Sequence, residues 1–339
     1  LFDVLNRTRT SMGARMLKKW LLKPLIDPTA INRRLDMVEK FVSDALLLAE
    51  TRELLKGIPD LERTLSKISL GSRNPRDLQA LSLGLSRVPA IVELLLQHDL
   101  EQMASGFKPL QELTALIDAH LLDELPAVLT DGGVIRSGIN AELDELRSLL
   151  RDGDEWLRRY EETERQRTGI KTLKVRKNSV FGFFIEISKS LADQAPENYV
   201  RKQTLTTGER FITAELKDYE NKVFTASEKS TGIEKEIYEG LVKRALEDIP
   251  AIKENANALA SADVISSLAQ LATETRCCRP VVDGENRINI IAGRHPVVEK
   301  FLDSGEFHPN DLRLDGERRQ AIITGPNMAG KSTYLRQAA

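Results

Sequence analysis

The chain has 339 residues, 41% hydrophobic and 29% charged, and 49 basic against 51 acidic side chains leave a formal charge of −2. That length fits two or three ordinary domains, and only 5% aromatics with abundant Leu, Glu, Lys and Arg point to helices. Two cysteines are too few for a disulfide-stapled scaffold, no run approaches the roughly 20 uninterrupted apolar residues that cross a bilayer, and the start has no signal-peptide layout, so a cytoplasmic protein without a membrane partner is expected.

Residues 1 to about 130 read as successive helices: Ser11–Leu22, closed by Pro24; Thr29–Leu55, broken once; Asp60–Leu70; Pro75–Leu96; and Lys108–Leu122. Their apolar residues recur at three and four, the pattern of a packing scaffold. His98 and His120 have no companions at metal-ligand spacing and read as surface or packing residues. Asn140 is a helix cap, with Glu142 and Asp144 favouring the positive end of the dipole. The helix it opens, Asn140 to Thr168, would reach on the order of 40 Å and ends in a nearly all-charged run, Glu161 to Arg167. A partner helix returns from Thr213 to Ile249 and is ended by Pro250. Its seam, Leu216, Tyr219, Val223, Ala226, Ser230, Ile233 and Ile237, suits two long helices side by side. Between these arms the period drops to two. Leu173 to Arg176, Val180 to Ile187, Tyr199 to Leu205 and Arg210 to Ile212 read as strands, with turns at Asn178-Ser179 and Thr207-Gly208, so a β-rich tip sits on a helical arm. Cys277 and Cys278 are adjacent, too close for an unstrained bridge, and are expected simply to pack. The chain starts without Met and stops at Leu335–Ala339 within a helical pattern, which reads as an excerpt of a longer protein.

The sharpest local signal is Gly325-Pro326-Asn327-Met328-Ala329-Gly330-Lys331-Ser332, a full match to the G-x-x-x-x-G-K-[ST] phosphate loop. Arg319–Thr324 reads as a buried strand feeding it and Ser332 onward as a helix. In that context backbone N–H groups of Met328 to Ser332 cradle phosphate, Lys331 neutralises the β and γ oxygens, and Ser332 ligates Mg²⁺. Hydrolysis needs an acidic residue on a later strand, and only Thr333 to Ala339 follow, so the chain by itself is expected to be inactive.

Gly325 to Thr333, written GPNMAGKST, together with Gly293-Arg294-His295-Pro296-Val297-Val298-Glu299, resembles the MutS family of DNA mismatch repair ATPases. The run from Tyr199 to Leu205, the segment Glu215 to Glu220, and the opening Leu1 to Leu17 are similar as well, so the likeness covers nearly the whole chain. It implies a mainly α fold: a helical core with long paired lever helices carrying an inserted β-rich clamp, followed by the start of a P-loop α/β ATPase domain. The implied boundaries are 1–157 for the core and first lever, 158–221 for the clamp, 222–278 for the second lever and return to the core, and 279–339 for the start of the ATPase domain. The resemblance further implies ATP or ADP with Mg²⁺ at Gly325 to Thr333, with Phe307 stacked on adenine. It also implies a homodimer that clamps duplex DNA bearing mismatches or small loops, ATP acting on the clamp through the levers, and a MutL-type repair partner. Two departures stand out: Ala329 where many members have Gly, and Pro309, which has no N–H to offer a base edge. By the same likeness His295 is structural rather than a general base.

From Lys171 to Lys222 there are ten basic and seven acidic side chains, a net of +3. A charge run of this kind is often only a solvated face; with the resemblance, Lys174, Arg176, Lys177 and Asn178 around one turn and Arg201 and Lys202 on another strand become the expected contacts to DNA phosphates. Phe184-Ile185-Glu186 matches by letter the F-x-E with which the family reads mismatches, but it lies inside the β tip and reads as packing. Two other readings remain open: a structural DNA-binding module without nucleotide turnover, and an arm-bearing P-loop ATPase of another family.

Overall fold

A computed structural model describes residues 1–178, 182–204, 208–302, 307–326 and 330–338. The expected turn residues Ser179 and Thr207, and Val180 and Leu205 beside them, lie outside the described residues. After a short α1 (Phe2–Leu5), helix α2 (Ser11–Leu22) is capped by Thr10, whose hydroxyl accepts from the Gly13 N–H at 2.9 Å. Asp27 caps α3 (Pro28–Ser43), with Pro28 at a first-turn position that needs no donor. Asp44 then ends α3 and caps α4 (Ala45–Leu55), so the single break expected between 29 and 55 falls on this residue. Next come α5 (Leu61–Ser69), α6 (Pro75–Leu85), α7 (Val88–Gln97), α8 (Glu101–Ala104) and α9 (Gln111–His120). The one helix expected over 75–96 is two. Pro89 has no N–H to give to the Leu85 carbonyl and its ring crowds it, so the chain turns at Ser86-Arg87. Pro75–Gln97 is a described stretch with the length and apolarity of a membrane span, yet Leu78, Leu81, Leu85, Ile91 and Leu95 are buried within the protein.

The chain divides into two compact units, one of Leu1–Lys67, Ala80–Thr114 and Asp248–Ala339, the other of Ile68–Gln79 and Ala115–Glu247. The second unit contains α10 (Ala141–Arg151) and α11 (Gly153–Thr168), capped by Asn140, whose side chain accepts from the Leu143 N–H at 2.9 Å. The single long helix expected here is interrupted only at Asp152, and the ladder continues on both sides of it, Asp152 N–H to Ser148 O at 2.9 Å and Trp156 N–H to Asp152 O at 3.0 Å. Gly153 leaves room just there for the Tyr219 hydroxyl, which a Cβ would approach to 2.8 Å and push aside. Strands β1 (Lys174–Asn178), β2 (Gly182–Ser188), β3 (Val200–Thr204) and β4 (Gly208–Ile212) form one antiparallel sheet in the order β1-β2-β4-β3, with a bulge between Arg201 and Gln203. One face of it buries Phe183, Ile185, Ile187 and Phe211 with Tyr160 of α11 and Leu216 of α12 (Ala214–Glu247). Trp156 stacks between Tyr160 and Tyr219, 5.0 and 3.6 Å between centroids, and so ties the two helices where they carry the sheet.

The seam of α12 departs from expectation. Ile233 and Ile237 are half-buried, while Glu234 and Tyr238 are buried beside Ala226, Ser230, Leu241 and Ala245. A straight helix of 3.6 residues per turn drifts away from a strict three-four alternation, and over five turns the buried line moves by one residue. Glu234 is 2% exposed and fully engaged: it accepts from the N–H groups of Gly133 at 3.2 Å and Val134 at 2.7 Å and from the Arg147 guanidinium at 2.7 Å. This carboxylate therefore fastens α10 and the 132–136 loop to α12.

In the first unit α13 (Ile249–Thr275) is the axis, buried on every side from Ala262 to Ser267, with α2, α3 and α4 packed on it. Pro250 ends the preceding helix as expected: it has no N–H for the Leu246 carbonyl, α12 stops at Glu247, and Pro250 itself occupies the first turn of α13, where a missing N–H costs nothing. Cys277 and Cys278, by contrast, do not pack. Arg276 at φ 54° turns the chain out of α13 and leaves both exposed. Strand β5 (Ile288–Gly293), α14 (Pro296–Phe301), β6 (Asn310–Leu314) and α15 (Lys331–Ala338) complete the order, with β5 and β6 antiparallel.

Candidate nucleic-acid interface and phosphate loop

Strand register decides which cations of the sheet act together. Lys174 faces Glu186, Glu186 faces Arg210, and Arg210 faces Gln203, so one row crosses all four strands on the face opposite the apolar core. Within the row Arg210 donates to Gln203 Oε1 at 2.8 Å, lies 3.7 Å from Glu186, and covers the Phe184 ring at 4.4 Å. Phe184 is 2% exposed, a packing residue as expected, and cannot act as a wedge in this arrangement. Arg176 pairs with Phe184 across β1 and β2 and is exposed, as is Lys174, so these two expected contacts share a face and an edge.

The other expected cations are elsewhere. Lys177 is on the opposite face, 5.5 Å over the Phe183 ring, and Asn178 ends β1 opposite Gly182. Arg201 and Lys202 lie on β3, the far edge of the sheet. Arg201 shares the face of Phe211, 5.9 Å from its ring, and is ion-paired to Glu209 at 2.7 Å. The structure thus separates the six residues into two edges. Of the residues that order the face between those edges, Arg210 was legible only in a charge tally, Glu186 there and in the F-x-E letter match, and the uncharged Gln203 was not singled out.

A buried polar cluster holds the sheet on α11. The Tyr199 hydroxyl donates to Glu164 at 2.6 Å, and Arg167 pairs with the same carboxylate at 2.6 Å. Burial, then the Glu164 carboxylate, push the Tyr199 phenol well above its ordinary range. Burial also pushes the Glu164 carboxyl up, but Arg167 and Tyr199 together more than offset it and hold it low. The cluster stays in one protonation state across the physiological range and serves as a rigid mount.

At the phosphate loop, Gly325 has φ 147° and Gly330 φ 83°, backbone that side-chain-bearing residues rarely adopt, and Lys331 opens α15. Ser332 is exposed and Thr333 half-buried; Pro326 is exposed, and Asn327, Met328 and Ala329 lie outside the described residues. Helix α15 rests on β6 through Tyr334 Oη to Asp311 O at 2.8 Å and a contact of Gln337 with Asn310 at 3.4 Å. Phe307, half-buried, precedes β6, so adenine-side and phosphate-side candidates flank the same strand. His295 caps α14, its Nδ1 accepting from the Val298 N–H at 3.2 Å, as a structural residue would. The strand expected over 319–324 does not form. No described strand offers it a ladder, and Ile322 is 91% exposed.

A family profile described as MutS domain III matches residues 1–269. The chain belongs to the MutS family. Among its relatives, the DNA mismatch repair protein MutS of Halothermothrix orenii is 48% identical over all of this chain and 38% of its own length. That of Solibacter usitatus is 46% identical over all of this chain and 40% of its own length, and that of Alkaliphilus oremlandii 45% over all of this chain and 39%. The chain thus spans about two fifths of the length of the curated relatives it matches. The MutS profile takes in α1 to α12 and most of α13, hence the whole four-stranded sheet, whereas the phosphate loop lies beyond it and within the full-chain alignments.

Proposed function

We propose that this chain supplies the helical core, lever helices and DNA clamp of a mismatch-repair protein, together with its ATP phosphate loop, divided at 1–157, 158–221, 222–278 and 279–339. The observation that carries the reading is the MutS match over the stretch holding both paired helices and the sheet they mount. Lys174 and Arg176 at the β1 edge, and Arg201 and Lys202 at the β3 edge, act as phosphate contacts that position a duplex without reading it. Mismatched or looped DNA, a second copy of the protein and a MutL-type partner are the macromolecules it serves, in the cytoplasm.

The donor set at α15 fits a nucleotide phosphate. The first-turn N–H groups of this eight-residue helix lack helical acceptors, and Lys331 and Ser332 add a cation and a hydroxyl. With ATP or ADP bound, Mg²⁺ held at Ser332 would screen the phosphate charge there, and Phe307 would stack on the base. The levers respond because ATP binds one of their arrangements better than another. A second reading, a DNA-binding module without turnover, is favoured for this chain alone by the unpaired 319–324 segment.

Duplex binding tests the first reading. By fluorescence anisotropy, Lys174→Glu with Arg176→Glu weakens matched and mismatched duplexes alike, about tenfold at low salt, and flattens the salt dependence. Unchanged affinity, or a loss confined to mismatched DNA, would contradict it.

A further inference from the structure

Cys277 and Cys278 stand exposed where α13 ends. The Cys277 N–H donates back to Ala272 O at 2.9 Å, which fixes the backbone on the helix side. Thr275 gives its only hydroxyl proton to Leu271 O at 2.7 Å, so in the 3.1 Å contact between Thr275 Oγ1 and Cys277 Sγ the thiol is the donor. On the other side Arg279 pairs with Asp36 at 2.6 Å and with Glu39, both on α3. The dithiol is therefore anchored at both flanks while its two side chains stay open to solvent.

Such a pair is selective by geometry. A direct disulfide wants Cα atoms about 4.4–6.8 Å apart, and neighbouring residues hold them at about 3.8 Å. Zinc wants four ligands, and among the described residues no group of three or more His, Cys, Asp or Glu side chains is placed to hold a metal ion. What fits is a soft centre that requires two thiols and sets the sulfurs apart by its own bond lengths. We propose that Cys277 and Cys278 form a two-thiol capture site for monosubstituted trivalent arsenicals. In the step, an organoarsenic(III) oxide forms two As–S bonds, and its oxygen leaves as water with both thiol protons. No oxidation state changes, so no further reactant is needed. Because the flanks are already fixed, capture involves rotation of the side chains rather than rearrangement of the core.

The test uses the full chain and equimolar phenylarsine oxide, read by intact mass under native conditions. One adduct per chain, with loss of one water, is expected to survive excess glutathione and to be removed by 2,3-dimercaptopropanol. Cys277→Ser and Cys278→Ser each lower the affinity on the order of 100-fold, since one thiol loses the advantage of intramolecular closure. Both residues are exposed, so each variant should keep the parent's circular dichroism melt. An adduct stripped by glutathione from the parent, or one retained undiminished by either serine variant, overturns the proposal.

Discussion

Asp263 is fully buried and accepts three hydrogen bonds, from the N–H groups of Arg9 and Thr10 at 2.8 and 2.7 Å and from the Thr10 hydroxyl at 2.7 Å. No Cβ fits at Gly13, because it would meet Asp263 Oδ2 at 2.2 Å. Glu234 does similar work in the other unit. Glu234→Ala strands the two loop N–H groups and the Arg147 guanidinium, and should cost about 3 kcal/mol in urea unfolding, with Glu234→Gln recovering part of it. Asp60 adds a pH dependence. Burial pushes its carboxyl up, but Arg15, at 2.5 and 2.8 Å, together with the Arg63 N–H and the Ser11 hydroxyl, more than offsets that and holds it at about 2. A carboxyl whose folded pKa is depressed stabilises the fold above its unfolded pKa and loses that contribution as pH falls through the folded one. Stability should therefore drop between pH 3.8 and about 2, and Asp60→Asn should remove about 1 kcal/mol of that slope after allowance for solvent screening. A melt as steep in the variant as in the parent over this window would refute the assignment. None of these acids stood out in the sequence, since each is distinguished by what surrounds it rather than by its neighbours in the chain.

Glycines within helices separate propensity from packing at the scale of elements. Gly84 of α6 lies against α5, where a Cβ would meet Leu61 Cδ2 at 2.5 Å, and Leu61 is fully buried. Gly84→Ala should thus destabilise by about 1–2 kcal/mol despite the better helix former. Gly232 and Gly240 of α12 have nothing within 4 Å of such a Cβ, and alanine there should stabilise by up to about 1 kcal/mol. Thermal melts of the three variants give opposite signs if packing rules the first and propensity the others. Most elements were readable in advance because capping and periodicity are local: Asn140 as a cap, the break inside 29–55, and the four strands. Proline is legible at Pro250, which ends α12 as expected, but not at Pro89, because the residue breaks a helix interior but suits a first turn, and local pattern does not say which is present. The 319–324 run was misread for a different reason. An apolar stretch becomes a strand only when another strand supplies its ladder.

For the whole molecule, the candidate surfaces were legible as residues but not as an arrangement. Ten cations against seven acids pointed to the sheet, yet the division into a Lys174–Arg176 edge and an Arg201–Lys202 edge follows from the strand order β1-β2-β4-β3, which no spacing revealed. The G-x-x-x-x-G-K-[ST] pattern lies within eight consecutive residues, so it could be read as a motif without any knowledge of its neighbours in space.

Asp263 accepts from Thr10 across 253 positions of sequence. During synthesis, at roughly 5–20 residues per second, the cap of α2 waits on the order of ten seconds or more for its acceptor to leave the ribosome. Meanwhile the stretch from Ala115 to Glu247 has already emerged and can organise first. The contacts that α13 makes with α2 are missing for that interval, which makes α2 a natural client for a chaperone.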